Sequence, residues 1–305
     1  MYFPTAGIEC HPLLPFGVAL GISFFTSMGG ISGAFLLLPF QMSVLGYANP
    51  SVSATNQFYN VLACPSGVWR YWREGRLVWP LACTVAAGTL PGVFIGALAR
   101  IHLLPDPRHF KIFAGLVLLY IGGRMALTLR RERTARRAGS PPEARPAGQG
   151  AQGGPLPCRA LRWTCREISF TFQEVTHTVS TRALLLLSMA VGLVGGAYGI
   201  GGGAIMSPFL VGVFGLPVYV TAGSTLLATA VTSLAGVGFY ALLAPFYPGM
   251  SVAPDWRLGL LVGLGGMCGM YFGARCQKHV PAAVLKAMLA AILLFTAVRY
   301  LGQGL

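Results

Sequence analysis

Acidic side chains are the scarcest chemistry in this chain. Its 305 residues include eight Asp and Glu: Glu9, Glu74, Asp106, Glu132, Glu143, Glu167, Glu174 and Asp255. None lies inside a long apolar run. Ion-coupled pumps place carboxylates at membrane depth, so coupling through a buried acid is not expected. The five histidines, His11, His102, His109, His177 and His279, also fall in loops or at the ends of apolar runs. An embedded metal cluster or acid–base pair therefore has no residues to run on, and the chain does not read as an enzyme. The seven cysteines contain no Cys-x-x-Cys pair, and Cys158 and Cys165 lack nearby paired histidines. A zinc site has no frame, and no cofactor is expected.

Charge as a whole is low, 10% of residues against about 25% in soluble domains. Long segments thus lack a wet face. Apolar runs recur at roughly the 20 residues needed to cross a hydrocarbon core. Spans are expected near 14–38, 52–69, 78–99, 109–129, 183–212, 219–243, 256–275 and 282–302. The 41 glycines and 21 prolines suit membrane helices, where neighbours re-satisfy an interrupted backbone.

The formal charge of +14 is topological in origin. Ten of the 22 basic residues lie between Arg130 and Arg182, in a Pro/Gly/Ala/Gln-rich tract. The rest sit mainly in short loops or near span ends. Nucleic acid is not an expected partner, because that reading wants arginines on a folded face. The tract reads as a basic cytoplasmic linker, residues 131–180, too poor in apolar side chains to order itself. It divides a first transmembrane repeat, 1–130, from a second, 181–305.

The two halves match. A shift of 169 residues lays Gly30-Ile31-Ser32-Gly33 through Pro39 on Gly199-Ile200-Gly201-Gly202 through Pro208, and brings Thr55 and Asn56 onto Ser224 and Thr225. Further on, Gly88-x3-Gly92-x3-Gly96-Ala97 answers Gly265-x3-Gly269-x3-Gly273-Ala274. Internal repeats are common in secondary transporters. The expected fold is all-α: a polytopic bundle of about eight spans from two repeats, with a glycine-broken first helix in each half. Four crossings per half make the repeats parallel; a re-entrant first segment makes them inverted.

The strongest motif is Gly195-Gly196-Ala197-Tyr198-Gly199-Ile200-Gly201-Gly202-Gly203. Each glycine in a helix interior costs about 1 kcal/mol against alanine, so this density predicts a break. A break at membrane depth survives where it is buried in protein or lines a cavity. A half-helix N-terminus there offers N–H groups and positive dipole to an anion. The first half repeats the pattern more weakly in Ser27-Met28-Gly29-Gly30-Ile31-Ser32-Gly33. The competing reading is close helix packing by small residues. For the spacing-four glycines, Gly88/92/96 and Gly265/269/273, packing is the preferred reading. Gly199, Gly201 and Ala204 also match a dinucleotide pattern, which needs a strand before it and a βαβ unit around it; here it lies inside a long apolar span and is rejected. Candidate anion ligands are Gly30, Ser32, Gly33, Asn56, Gly199, Gly201, Gly202, Gly203, Ser224 and Thr225.

In these motifs and the duplication, the sequence resembles the TauE/SafE family of sulfite exporters and related permeases. The residues that carry the resemblance are Gly199-Ile200-Gly201-Gly202-Gly203 through Pro208, Gly30-Ile31-Ser32-Gly33 through Pro39, and the Gly-Ala ends of the third spans. The resemblance implies a two-repeat helical carrier in the plasma membrane for small sulfur-containing anions such as sulfite, sulfonates or thiosulfate. Ser32 and Asn56-Gln57 depart from the family's glycine and hydroxyl pattern, which leaves the cargo open. The expected partners are a small anion and the lipid bilayer, with a homo-oligomer left open. The alternative is a non-transporting scaffold acting through its basic linker.

Overall fold

The computed structural model describes residues 1–28, 32–75, 77–137, 159–172, 175–276 and 282–304. A two-stranded N-terminal hairpin, β1 (Tyr2–Phe3) and β2 (Ile8–Glu9), precedes five helices: α1 (Leu13–Met28), α2 (Ala34–Ser43), α3 (Ser51–Arg73), α4 (Trp79–His102) and α5 (Pro107–Arg137). An antiparallel sheet follows, β3 (Arg159–Trp163), β4 (Glu167–Phe172) and β5 (Val175–Ser180), in the order β3-β4-β5. Five more helices complete the chain: α6 (Thr181–Tyr198), α7 (Gly203–Gly212), α8 (Val218–Leu243, with a 3-10 turn Ala244–Phe246), α9 (Trp256–Cys276) and α10 (Ala282–Gly304).

The sheet corrects the all-α expectation and the picture of a linker unable to order itself. Ile168, Phe170 and Phe172 alternate along β4 and are buried, the period-two pattern of a half-buried strand. They lie next to a long polar tract whose composition masks this short run. Charged helix also reaches Arg137, beyond the expected end of the fourth span. Residues 138–158 of the linker lie outside the described residues.

Among the described residues, four helices are long and apolar enough to cross a membrane: α4, α5 (Pro107–Arg130), α6 and α8 (Val220–Phe246). Eight spans were expected. Helix α3 has the length, but its buried Ser51, Ser53, Thr55, Asn56, Gln57 and Asn60 lower its apolarity. The expected spans 14–38 and 183–212 are each divided in two by glycine, which leaves α2 and α7 at ten residues apiece.

The spacing-four glycines set the closest helix contacts. Gly88, Gly92 and Gly96 of α4 lie against the α6 backbone around Leu185, Met189 and Leu193; Gly265, Gly269 and Gly273 of α9 lie against α1 at Phe16, Leu20 and Phe24. Residue numbers rise together in both pairs, so both run parallel. Helices α3 and α8 run antiparallel: Gly67 meets Leu226, Asn60 meets Ser233 and Gln57 meets Gly236. So do α5 and α10, where Gly115 meets Leu301 and Gly122 meets Leu293. Helix α2 turns back along α3, with Ser32 on Asn60 and Asn56 on the Ala34 carbonyl.

A methyl group at Gly92 would collide with the carbonyl oxygen of Met189, which is backbone and cannot swing away, whereas the space beside Gly238 is open. Gly92→Ala should therefore cost about 1–3 kcal/mol, the usual penalty of overpacking. Gly238→Ala should be neutral or gain up to about 1 kcal/mol of helix propensity. Thermal unfolding of the detergent-solubilised variants checks this; equal midpoints for the two would refute the packing argument.

Candidate functional site

The second glycine run ends one helix and starts another. Helix α6 stops at Tyr198, and the Gly195 carbonyl accepts from both Gly199 N (2.9 Å) and Ile200 N (3.0 Å). Gly199 and Gly201 take φ of 87° and 71°, the left-handed region that costs other residues a Cβ clash. Gly199 also lies so close to the Ser53 backbone that no Cβ fits. Gly202 caps α7, and its N–H donates to Thr232 Oγ1 (3.2 Å).

The first break mirrors this with side chains. Ser32 Oγ donates to Asn60 Oδ1 (2.5 Å) and accepts from Ala34 N (3.3 Å), while Gly33 caps α2. Tyr59 Oη approaches Gly33 and bonds Ser23 Oγ at 2.6 Å. Gly30, a candidate ligand, lies outside the described residues.

Breaking a helix orphans carbonyls, and four at the second break find donors. The Ala197 carbonyl accepts from Ser53 Oγ (2.9 Å), the Gly196 carbonyl from Tyr240 Oη (3.2 Å) and Gln57 Nε2 (3.4 Å), and the Ile200 carbonyl from Asn60 Nδ2 (2.9 Å). Pro39 has no N–H for the Phe35 carbonyl four residues earlier, and Tyr198 Oη donates to it instead (3.0 Å).

Asn60 is the junction. It accepts from Ser32 of the first break, donates to Ile200 of the second, and reaches Ser233 Oγ at 3.3 Å. The N-termini of α2 and α7 are thereby held at one buried side chain. Asn60 was missed by the sequence reading, which stopped at Asn56 and Gln57. Its signal was present: Asn60 sits one turn beyond Asn56, and at the repeat shift of 169 it faces Thr229, as Cys64 faces Ser233.

The other candidates divide. Gly201, Gly202 and Gly203 sit at this centre against Thr229, Thr89 and the Thr225 carbonyl. Asn56 donates to the Ala34 carbonyl (2.9 Å), and its Oδ1 has no hydrogen-bond partner, like Gln57 Oε1. Ser224 and Thr225 are occupied elsewhere. Ser224 Oγ donates to the Val78 carbonyl (3.2 Å) at the start of α4, and Thr225 Oγ1 to the Thr221 carbonyl (2.9 Å) in its own helix. Ser224 lies about 13 Å along α8 from Ser233, at 1.5 Å per residue.

The charges also need revision. Arg100 sits at a span end, as its place in the sequence implies, but its side chain is fully buried there. Among the described residues no cluster of His, Cys, Asp or Glu could hold a metal.

Paired helix breaks inside a polytopic apolar bundle, joined at a polar centre, are the build of a membrane transporter. The family model for sulfite exporter TauE/SafE matches residues 14–300, nearly the whole chain, and the protein belongs to that family. No curated protein and no solved structure gives a significant match.

Removing the Asn60 amide strips hydrogen bonds from Ser32, Ile200 and Ser233 at once. At about 1 kcal/mol each, Asn60→Ala should lose about 2–4 kcal/mol of stability, whereas Ser224→Ala should lose about 1 kcal/mol or less. Denaturation in detergent measures both, and an Asn60 variant no weaker than the Ser224 variant would remove Asn60 from its place as the junction.

Proposed function

We infer that this protein is a secondary transporter of the plasma membrane that carries a small sulfur-containing anion, such as sulfite, a sulfonate or thiosulfate. The observation that carries the reading is the meeting of both helix breaks at Asn60. Two half-helix N-termini directed at one spot supply positive potential without a titratable group. Ser32, Gly33, Gly199, Gly201, Gly202 and Gly203 frame that spot, and Gly30 and Asn56 belong to it by sequence. The hydroxyls on Ala34 N and Gly202 N hold donors that an arriving anion would take over. Ser224 and Thr225 serve the packing of α8 in this reading.

The halves are inverted repeats. Equivalent helices α3 and α8 run antiparallel, as do α5 and α10, and the parallel pairs α4–α6 and α9–α1 exchange partners between halves. Strict alternation of the elements fits all four pairs. It makes α1–α2 and α6–α7 hairpins that enter from opposite faces, and six helices cross fully. The eight-span count then becomes six spans and two hairpins. The linker face is cytoplasmic in this reading, because ten of the basic residues fall between Arg130 and Arg182 and cytoplasmic loops carry the excess of arginine and lysine; the exposed Trp69, Trp72 and Trp79 mark a membrane interface there, with the Arg73 guanidinium 5.0 Å from the Trp69 ring.

Proteoliposomes holding the purified protein should take up labelled sulfite saturably, with competition from thiosulfate or short sulfonates. Gly202→Val, whose side chain would run into Thr89, should lose at least about 100-fold of that flux, the equivalent of about 2.7 kcal/mol, and still insert in the membrane. Normal flux in the variant rules out the glycine site. Absence of flux for every anion with folded wild-type protein rules out this class of cargo and favours a scaffold acting through its linker.

A further inference from the structure

We propose that Arg100 forms a second anion-binding station on the path of the carried solute, at the face of the bundle opposite the linker. The inference rests on the transporter reading and deepens it.

Arg100 lies in the last turn of α4, next to the short connection into α5; the linker is reached only after the whole length of α5. Its side chain is fully buried. A buried guanidinium ordinarily has a carboxylate partner, because desolvation of an isolated charge is costly. Arg100 has none within ion-pair distance among the described residues. Asp255, also buried, is engaged by Ala6 N (3.0 Å) and Leu258 N (2.9 Å). Asp106, two residues past Leu104, is bonded to Arg108 N (2.7 Å) and lies near His109.

What Arg100 does have is incomplete. It donates to the carbonyls of Leu104 and Ala48, the latter at 3.0 Å, and its guanidinium carbon lies 3.7 Å from the centre of the Phe110 ring. A guanidinium carries five N–H donors. Two carbonyls occupy two of them, and Nε has no partner. Carbonyl dipoles and a ring face stabilise a cation without neutralising it. The missing element is an anion, and a planar fork of N–H groups matches an oxyanion's paired oxygens.

Buried polar side chains connect the position to the centre. Tyr47 and Tyr240 are near enough to interact electrostatically with Arg100. Tyr240 Oη bonds the Gly196 carbonyl in the last turn before the second break, and Ser53 bonds the adjacent Ala197 carbonyl. From there α3 continues one and two turns on with Gln57 and Asn60. The burial is confined to one half: Arg275, the basic residue in the last turn of the equivalent α9, is exposed. An anion entering from this face meets a cation first and the uncharged helix-break site second.

The bland role for Arg100 is a staple between the α4 C-terminus and the loop after α2. The two roles separate in sulfite flux by proteoliposomes of wild type, Arg100→Gln and Arg100→Lys. A station predicts that Arg100→Gln raises the KM for sulfite at least about tenfold, the equivalent of about 1.4 kcal/mol, and that Arg100→Lys recovers part of it by keeping the charge. A staple predicts unchanged KM in every variant that folds, and that result overturns the proposal. If the Gln variant fails to fold, the wild-type protein decides. Phenylglyoxal labelling read by peptide mass spectrometry should modify Arg100, and sulfite should slow the reaction at least about fivefold, the equivalent of about 1 kcal/mol. An Arg100 that never labels, or labels at the same rate with sulfite present, overturns it. Flux absent in the wild type for sulfite, thiosulfate and short sulfonates alike refutes the sulfur-anion reading instead, and labelling without protection refutes the station alone.

Discussion

A bilayer offers no water to an interrupted helix, and this constraint organises the whole bundle. Every carbonyl freed by a break must find a donor within the protein. Here the donors come from other helices: Ser53, Gln57 and Asn60 of α3, Tyr240 of α8, and Tyr198 of α6 for the carbonyl freed by Pro39. Tyr300 of α10 also donates to the Pro39 carbonyl at 3.1 Å. The breaks are thus held from several sides by long-range bonds. Helix α3 carries so many polar residues because it serves both breaks. That same polarity keeps it outside the four helices apolar enough to cross a membrane.

The glycines make those bonds reachable. A hydroxyl on α3 can meet a carbonyl of α6 only if the backbones nearly touch, and Gly199 does so at Ser53. Close approach elsewhere follows from Gly88, Gly92 and Gly96, which bring α4 onto α6, while Gly192 and Gly196 of α6 admit the α4 backbone at Thr89 and Val93. Small residues face small residues on both sides of that contact. In lipid this packing gains from dispersion and from unobstructed hydrogen bonds, because water expulsion contributes little. The packing and site readings of glycine are therefore not alternatives in this chain: the spacing-four sets fix the frame, and the adjacent positive-φ set forms the break.

The features most legible in the sequence are those tied to periodicity and to glycine. The spacing of four at Gly88/92/96 and Gly265/269/273 read directly as helix contacts. The density of glycine at 195–203 marked a break at the place where α6 ends. Less legible were features fixed by partners far away in the chain. Asn60 looks like one more polar residue on an amphipathic helix until Ser32 and Ile200 are brought to it across 28 and 140 positions. Arg100 reads as a span-end cation, and only the packing of Ala48, Leu104 and Phe110 around it reveals burial. The sheet at 159–180 was lost for a different reason. Its alternation spans only Ile168 to Phe172, too few residues to stand out against the polar tract before it. Repeat orientation lay beyond composition, because basic residues flank the spans on both sides: Arg70, Arg73 and Arg76 on one, Arg100, Arg108 and Lys111 on the other.

The centre is asymmetric, and the asymmetry has a direction. In the proposed inverted arrangement Asn60 and Thr229 occupy equivalent places, yet they behave differently. Thr229 Oγ1 donates to the Thr225 carbonyl of its own helix at 2.8 Å, while Asn60 reaches outward to both breaks. A hydroxyl can satisfy itself within its helix; a carboxamide, with two donors and two acceptor sites, must look elsewhere. The bridging amide thus comes from the first half, which also holds the one buried arginine of the described residues. Two inverted halves with identical side chains would favour neither face of the membrane. With the bridging amide and the cation both drawn from the first half, the two arrangements reached by exchanging the halves' roles cannot be equal in energy.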